Sequence, residues 1–563
     1  MPVTSPRARA PRSSADVLPP DWQPVLPRVF LESGKLKDSV LNELTHVLVL
    51  FPASLLAGGQ LPQGLPGAVL LKQILGRQRK KPTALLRVGA GSGKMPQEAL
   101  VPEATTLGGG LIRWLAVDPD ASTFLRHHQL RQALSGLLAE QPVRLDIVFH
   151  GSAGFVASAM PDAAYVAAVN RVSMPKTVAA DKTTKAAGTA KSGKTGEIRL
   201  WVGARDQAFL STSLAGVMAT AEANTLTRAL CVLPPNQLTP GSFRALIPGQ
   251  IKGLGIRCDT YDVAQLKKMK AGAFLAVAQG SPEQDAAIVR LTYVPKVKPV
   301  KRDPKDKSAT QALPYVALVG KGICFDTGGH NLKPARYMAG MHEDMAGAAI
   351  ALSVIQAAAR LQLPVRIDAW LALSRNDIGP GAYRQGDVVT ALNGSTIEIV
   401  HTDAEGRMVL ADTLTLAAAA KPDMVLDFAT LTGSMTTALG NRMSGFFASQ
   451  RHLGARLEEV GAAAGERLMP FVMPDDYDSA LESQVADIKQ CTLDGEADHI
   501  LAARFLNCFV DDAAWLHLDL SAATCKGGLG AIGTDTTGFG AALTVQLLQS
   551  IAVKGLPRSS PAF

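Results

Sequence analysis

Apolar and polar positions alternate along this chain in two registers. In the N-terminal part, short apolar runs at residues 47–51 (VLVLF), 111–117 (LIRWLAV), 145–149 (LDIVF) and 198–202 (IRLWV) are separated by helix-like segments such as 124–139 (FLRHHQLRQALSGLLA). That alternation predicts a separate α/β domain over residues 21–204. A helical stretch, 207–233, follows it, and a connecting helix is expected over 205–232. Further on, residues 316–329 (VALVGKGICFDTGG) form an apolar run closed by a glycine pair that lets the backbone turn tightly. An apolar helix is expected at 346–361, a strand at 395–400 (STIEIV), and a buried helix at 408–420 (MVLADTLTLAAAA). No internal repeat is visible.

Chemistry concentrates between these last elements. His401-Thr402-Asp403-Ala404-Glu405-Gly406-Arg407 puts two carboxylates and a guanidinium on one short turn. Carboxylates two residues apart share a cavity on a strand or irregular backbone, not on a regular helix. The turn is expected at the C-terminal end of a strand, where open α/β sheets place their sites. The 316–329 run adds Lys321 and Asp326, and Lys333 and Asp344 follow, the latter just before the apolar helix. Four carboxylates converging without cations would repel one another, so metal ions are the natural compensation. Two divalent ions suit such a set better than one, because carboxylates can bridge a pair that clamps both attacking and developing oxygens.

VGKGICFDTGG, Lys333, Asp344 and TDAEGR together resemble the leucyl aminopeptidase family of dinuclear metallopeptidases. LPPNQLTP (233–240), YRQGDVVTALNG (383–394), DFATLTGSMTTALGN (427–441) and ADIK (486–489) fall in the family's order, and the resemblance covers roughly residues 205–550. It implies an α/β fold in which a larger catalytic domain, 233–563, carries a central mixed sheet flanked by helices. It implies Asp326 and Glu405 as bridging carboxylates, Asp403 as a ligand of one metal, and Lys321 and Asp344 as ligands of the other. Lys321 must then be neutral, its pKa depressed by two nearby cations. Lys333 would polarise the scissile carbonyl, and Arg407 would hold a bicarbonate ion serving as general base. Met341, Thr430 and Gly433 would line the pocket for the first side chain. The implied activity is release of N-terminal, leucine-like residues from peptides by a water activated between two Mn2+ or Zn2+ ions, in a homohexamer.

Composition adjusts this picture modestly. At 563 residues, 47% hydrophobic, the chain is long enough for two sizeable cores. Its net charge of +8 is confined to residues 77–81, 171–196 and 296–307, which carry +4, +5 and +4, so the remainder is net negative. These read as solvated loops rather than a nucleic-acid face, the alternative being salt-sensitive DNA contacts. The Lys/Ala/Thr-rich stretch 174–196 is expected to be a mobile insertion, and residues 1–20 to be disordered. Six cysteines without a CxxC pair read as reduced thiols, and Cys324 is expected to point away from the metal. No apolar run approaches a membrane span. A cytoplasmic location follows, with organelle import as the alternative suggested by Arg7, Arg9 and Arg12.

Three look-alikes are set aside. GAGSGKM (89–95) lacks the first glycine and the Ser/Thr of a phosphate loop. His342-Glu343 is followed by Ala346 where a zincin helix needs histidine. His127-His128 faces two directions on one helix. Two departures from the family pattern stand near the expected substrate channel: His401, where asparagine is usual, and QCTLDGEADHI (490–500), where a Gly- and Ala-rich loop is usual. His401 is expected to orient a ligand by hydrogen bonding. Two other function classes are kept: a catalytically weak scaffold or DNA-binding member, and a two-metal phosphoesterase. The latter would ordinarily add histidine ligands, which the matched positions lack.

Overall fold

The computed structural model describes residues 22–34, 36–86, 100–106, 108–176, 196–203, 207–296 and 313–556. The N-terminal arginines, the GAGSGKM segment, most of the 174–196 insertion and most of the third basic segment lie outside these.

Six strands form the first sheet: β1 (Arg28–Glu32), β2 (His46–Pro52), β3 (Glu103–Thr105), β4 (Leu111–Val117), β5 (Arg144–Phe149) and β6 (Glu197–Trp201), in the order β1-β6-β5-β2-β4-β3. All neighbours are parallel except β3 and β4. The four apolar runs are β2, β4, β5 and β6. The parallel central strands are buried on both faces, as their unbroken apolar sequences require.

Beyond the helix Gln207–Cys231, eleven strands follow among the described residues: β7 (Ile256–Asp262), β8 (Ala287–Tyr293), β9 (Tyr315–Asp326), β10 (Arg366–Asn376), β11 (Val388–Thr390), β12 (Thr396–Glu398), β13 (Met424–Ala429), β14 (Ser444–Ala448), β15 (Leu468–Pro470), β16 (Ile488–Lys489) and β17 (Trp515–Asp519). Eight of them make a mixed sheet in the order β15-β14-β17-β13-β9-β10-β8-β7, whose central strands β17, β13, β9 and β10 are parallel. The other three form a small sheet, β11-β12-β16. The STIEIV strand is therefore β12 of this accessory sheet, not a strand of the main one as its position before the acidic turn suggests.

Helix Ala346–Arg360 covers one face of the main sheet and helix Glu405–Ala419 the other. Strand β9 shows the alternation: Val316 and Leu318 join one core, Ala317, Val319 and Ile323 the second. The first helix sits very close. A Cβ on Gly347 would stand 2.1 Å from the Phe428 carbonyl oxygen, and one on Gly320 would stand 2.3 Å from the Gly347 carbonyl oxygen. The absence of side chains at both positions brings the helix's N-terminus, and Asp344 before it, down onto β9.

The first core is continuous across both large sheets, with residues of β2, β5, β9 and β10 in one apolar cluster. Its seam is helix Gln207–Cys231, packed on helices Ala153–Asn170, Ala346–Arg360 and Ala541–Lys554. Arg228 on this helix is 1% exposed and donates to the Val169 carbonyl at 2.7 Å and Thr534 Oγ1 at 3.1 Å, joining the two halves. All six cysteines are free thiols, and no helix among the described residues is long and apolar enough to cross a membrane.

Candidate metal centre

A β-bulge sets the geometry of β9. Ile323 pairs with Ser374, but the next pair is Asp326 with Asn376, so β9 spends one residue more than β10. Lys321 and Asp326 are five apart and would face opposite sides of a regular strand; the extra residue turns them to one side. Cys324 stays in the core on the other face, as expected. Alternation alone would have left Asp326 beside it.

Asp326, Asp403 and Glu405 bring one oxygen each within 4.8 Å of one another. Asp403 is on the turn, and Glu405 is the first residue of its helix, the break in regularity that carboxylates two apart require. Lys321 Nζ joins this group to Asp344, lying 2.8 Å from Glu405 Oε1, 2.9 Å from Asp344 Oδ2 and 3.0 Å from the Thr430 carbonyl oxygen. Thr430 Oγ1 donates to Asp344 Oδ1 at 2.6 Å. Lys333 Nζ lies 2.9 Å from Asp326 Oδ2 and 2.5 Å from Asp403 Oδ1. Glu405 Oε2 is buried and accepts no hydrogen bond from any described residue.

The electrostatics follow from burial. It pushes the Asp344, Asp403 and Glu405 carboxyls above their ordinary range, and like charge from neighbouring carboxylates adds to it. Burial would lower the Lys321 ammonium, yet Asp344, Glu405 and Asp326 outweigh it and hold the proton on. Among the protein's own charges, then, Lys321 is shifted opposite to the depression that a neutral ligand needs. Lys333 is raised in the same way by Asp326, Glu405 and Asp403 against the effect of burial.

A hydrogen-bonded frame stitches the two sequence clusters together. Asn376 Nδ2 donates to Asp326 Oδ1 at 2.8 Å and to the Thr402 carbonyl at 3.0 Å. Thr402 Oγ1 donates to the Gly328 carbonyl at 2.6 Å, and Tyr383 donates to the Thr402 carbonyl at 2.6 Å. Gln490, fully buried, accepts from the Val400 and His401 amides at 3.1 Å each and donates to the Ala404 carbonyl at 3.0 Å. His401 Nδ1 accepts the Asp403 amide at 3.2 Å. Asn376 carries no sequence signal, since an amide near a strand end belongs to no motif, whereas Gln490 opens the 490–500 segment that departs from the family pattern.

Thr430 borders the cluster through its bond to Asp344. Gly433 opens helix Gly433–Leu439 beside it and is exposed, and a Cβ there would meet nothing within 4 Å. Met341 is half-buried on the short turn Met341–Glu343 leading to Asp344. Arg407 is 2% exposed, but its guanidinium is already engaged: Nη2 donates to Asp498 Oδ1 at 2.7 Å and Nη1 to the Gln490 carbonyl at 3.1 Å. Only Nε lacks a partner among the described residues. Two of the five guanidinium N–H donors are thus used by residues 490 and 498. His127, a look-alike ligand, is buried on helix Thr123–Ala139 against Asp162 at 3.2 Å.

Residues 225–545 match the family model described as the cytosol aminopeptidase family, catalytic domain. A probable cytosol aminopeptidase of Rhodopseudomonas palustris (strain BisA53) is 37% identical over 321 residues, 57% of this chain and 61% of that protein. One from Chlorobaculum parvum is 39% identical over 327 residues, 57% of this chain and 62% of that protein. The match thus spans less than two thirds of the length of these curated relatives. Among solved structures, the bottromycin maturation enzyme BotP in complex with Mn superposes with a TM-score of 0.70 at 26% identity, covering 90% of this chain and all of that one. A mutant of tomato leucine aminopeptidase gives 0.73 at 24% identity, covering 93% and 96%, and shares the fold.

Proposed function

The chain belongs to the cytosol aminopeptidase family, and from that premise we propose that it is a metal-dependent aminopeptidase releasing N-terminal, leucine-like residues from peptides. The observation that carries this reading is the convergence of Asp326, Asp403 and Glu405 within 4.8 Å, with Lys321 and Asp344 adjoining. A buried carboxylate oxygen without a donor, Glu405 Oε2, is what a site built for a cation would leave.

These five residues would hold two divalent ions, Mn2+ or Zn2+, the oxygen-rich set with one amine accepting either. Two such ions supply Lewis acidity and a water acidic enough to be deprotonated near neutral pH. The protein does the rest. Lys333, 14% exposed, is the cation available to a developing oxyanion once its carboxylates are otherwise engaged. Asn376, Tyr383 and Gln490 hold the two carboxylate-bearing segments at fixed spacing, so the reacting groups need no reorganisation. The free amine of a peptide suits a site of four carboxylates, and it would set which bond is cut. Met341, Thr430 and Gly433 are proposed as the pocket for the first side chain, the open space above Gly433 supporting a bulky apolar group.

In this reading residues 233–563 are the catalytic unit, 21–204 an N-terminal domain and 205–232 the connecting helix, assembled as a cytoplasmic homohexamer. Light scattering tests the assembly. Activity is tested with Leu-p-nitroanilide against p-nitrophenyl phosphate in the presence of Mn2+ or Zn2+. Hydrolysis of the anilide alone is expected. Metal-loaded protein that cleaves neither substrate would leave the scaffold or DNA-binding reading, and cleavage of the phosphate alone would make it a phosphoesterase.

A further inference from the structure

Strands β17, β13 and β9 are neighbours in the main sheet. Their register pairs Phe428 of β13 with Gly320 of β9, one residue before Lys321, and Ala429 of β13 with Asp519 of β17. Lys321 on β9, Thr430 just past β13 and Asp519 at the end of β17 therefore stand in one row across the sheet.

Hydrogen bonds join this row from end to end. Thr430 turns both of its polar groups toward the centre: its carbonyl accepts from Lys321 Nζ at 3.0 Å, and its hydroxyl donates to Asp344 Oδ1 at 2.6 Å. On the other side, Asp519 holds the next two residues. Its Oδ1 accepts the Leu431 amide at 3.2 Å and the Thr432 amide at 3.4 Å, and its Oδ2 accepts the Thr432 hydroxyl at 2.5 Å. Asp519 is 1% exposed, and the Leu520 amide donates to the Ala429 carbonyl at 2.8 Å on the same level. Three donors from two consecutive residues use both carboxylate oxygens, which fixes the link to Thr430. Capping of helix Gly433–Leu439 does not by itself call for Asp519, because Thr432 Oγ1 already accepts the Met435 amide at 3.2 Å.

We propose that Asp519 is a positioning residue of the metal centre, acting through Thr430 on the ion that Lys321 and Asp344 would hold. The inference rests on the metal-dependent aminopeptidase reading above. A neutral lysine amine keeps two N–H groups, and giving one to the Thr430 carbonyl restricts rotation about Cε–Nζ, and with it the direction of the lone pair. The Thr430 hydroxyl on Asp344 Oδ1 leaves Oδ2 paired only with Lys321 among the described residues. One residue thus sets the aim of both ligands, and Asp519 sets that residue. Asp326 and Asp403 are held by other means, through Asn376 and His401. The two ions should therefore differ in their dependence on Asp519.

The test titrates full-length protein, stripped of metal by a chelator, with Mn2+ by calorimetry. Wild type should show two binding steps. Asp519→Ala should keep one step and weaken the other about 10–100-fold, the range for residues that orient a ligand. Its kcat should fall at limiting Mn2+ and recover as Mn2+ is raised. Asp519→Asn, whose amide oxygen can still accept the two backbone amides, should weaken the same step by a smaller factor. Asp344→Ala lacks a ligand of that ion, so adding Asp519→Ala to it should change the remaining step by less than about twofold. Loss of packing alone would weaken both steps together. Two steps of wild-type affinity in Asp519→Ala, or an equal weakening of both, overturns the proposal. If Asp519→Ala does not fold, Asp519→Asn decides: a loss confined to one step supports positioning, and no loss or an even loss overturns it. A wild type that binds two Mn2+ yet cleaves no peptide fails the aminopeptidase reading alone, and the titrations still decide the role of Asp519.

Discussion

Gly406 lies directly beneath Lys321: a Cβ at position 406 would stand 2.6 Å from Nζ and 2.7 Å from Cε. Lys321 is 3% exposed and pinned by Asp344, Glu405 and the Thr430 carbonyl, so its tip cannot yield without leaving those partners. Gly406→Ala should therefore leave the fold intact and disturb the centre. The expected result is a loss of metal from one site and a fall in kcat of about 10²-fold, the cost of ångström-scale misplacement. Metal analysis beside circular dichroism checks it; full metal content and normal kcat would show that Lys321 is not held as described.

Asn376 is 1% exposed and donates to both Asp326 and the Thr402 carbonyl. Asn376→Leu takes one donor from each of two buried acceptors, which keep the Gly328 amide and the Tyr383 hydroxyl, so each lost bond costs roughly 1 kcal/mol. Metal affinity should fall about 10–100-fold, as for other residues that orient a ligand. Titration of the metal-free protein with Mn2+ measures this. An unchanged affinity would mean that Gly328 and the turn hold Asp326 without help.

His401 accepts the Asp403 amide through Nδ1, two residues on in sequence. An asparagine oxygen reaches the same amide in an Asx turn, which accounts for a histidine standing where the family usually has asparagine. His401→Asn should retain metal content and kcat, whereas His401→Leu, which cannot accept, should weaken metal binding severalfold. If the two variants behave alike, the bond to Asp403 is not what His401 contributes.

Asp412, fully buried, accepts the Phe274 amide at 2.8 Å and the Leu392 amide at 2.7 Å. Burial nonetheless lifts its carboxyl to about 6, the backbone donors offsetting only part. Because the folded value lies above the unfolded one, the unfolded chain loses this proton first. The contribution to stability is complete below about pH 4 and is lost as pH rises through about 6, on the order of 3 kcal/mol at most. Asp412→Asn cannot ionise, so the Tm of wild type relative to this variant should decline between those limits and level off above them. A constant difference across the range would rule Asp412 out as the titrating group.

The carboxylates and lysines that cluster in the structure were legible because they sit in short, local motifs, and β2, β4, β5 and β6 because parallel strands buried on both faces are apolar throughout. Sequence passed over Arg28–Glu32 and Glu103–Thr105, edge strands with no continuous apolar run. The bulge in β9 was invisible for a different reason. Residues on both faces of that strand are apolar, so inserting one changes no pattern, yet it decides where Asp326 points. The pairing of Arg407 with Asp498 joins positions 91 apart, and sequence registered only that the intervening loop was unusual. Function was legible where its residues are neighbours in the chain, and hidden where folding makes them neighbours.

The helix Gln207–Cys231 looks in sequence like a tether between two units. Its C-terminal half is buried from Ala219 onward almost without a break, and Arg228 bonds to both sides at once. A tether lets its ends melt apart; a seam does not. The two sheets therefore form one cooperative unit, and a chain cut down to the metal-bearing half would expose the flank of this helix rather than fold as a smaller enzyme.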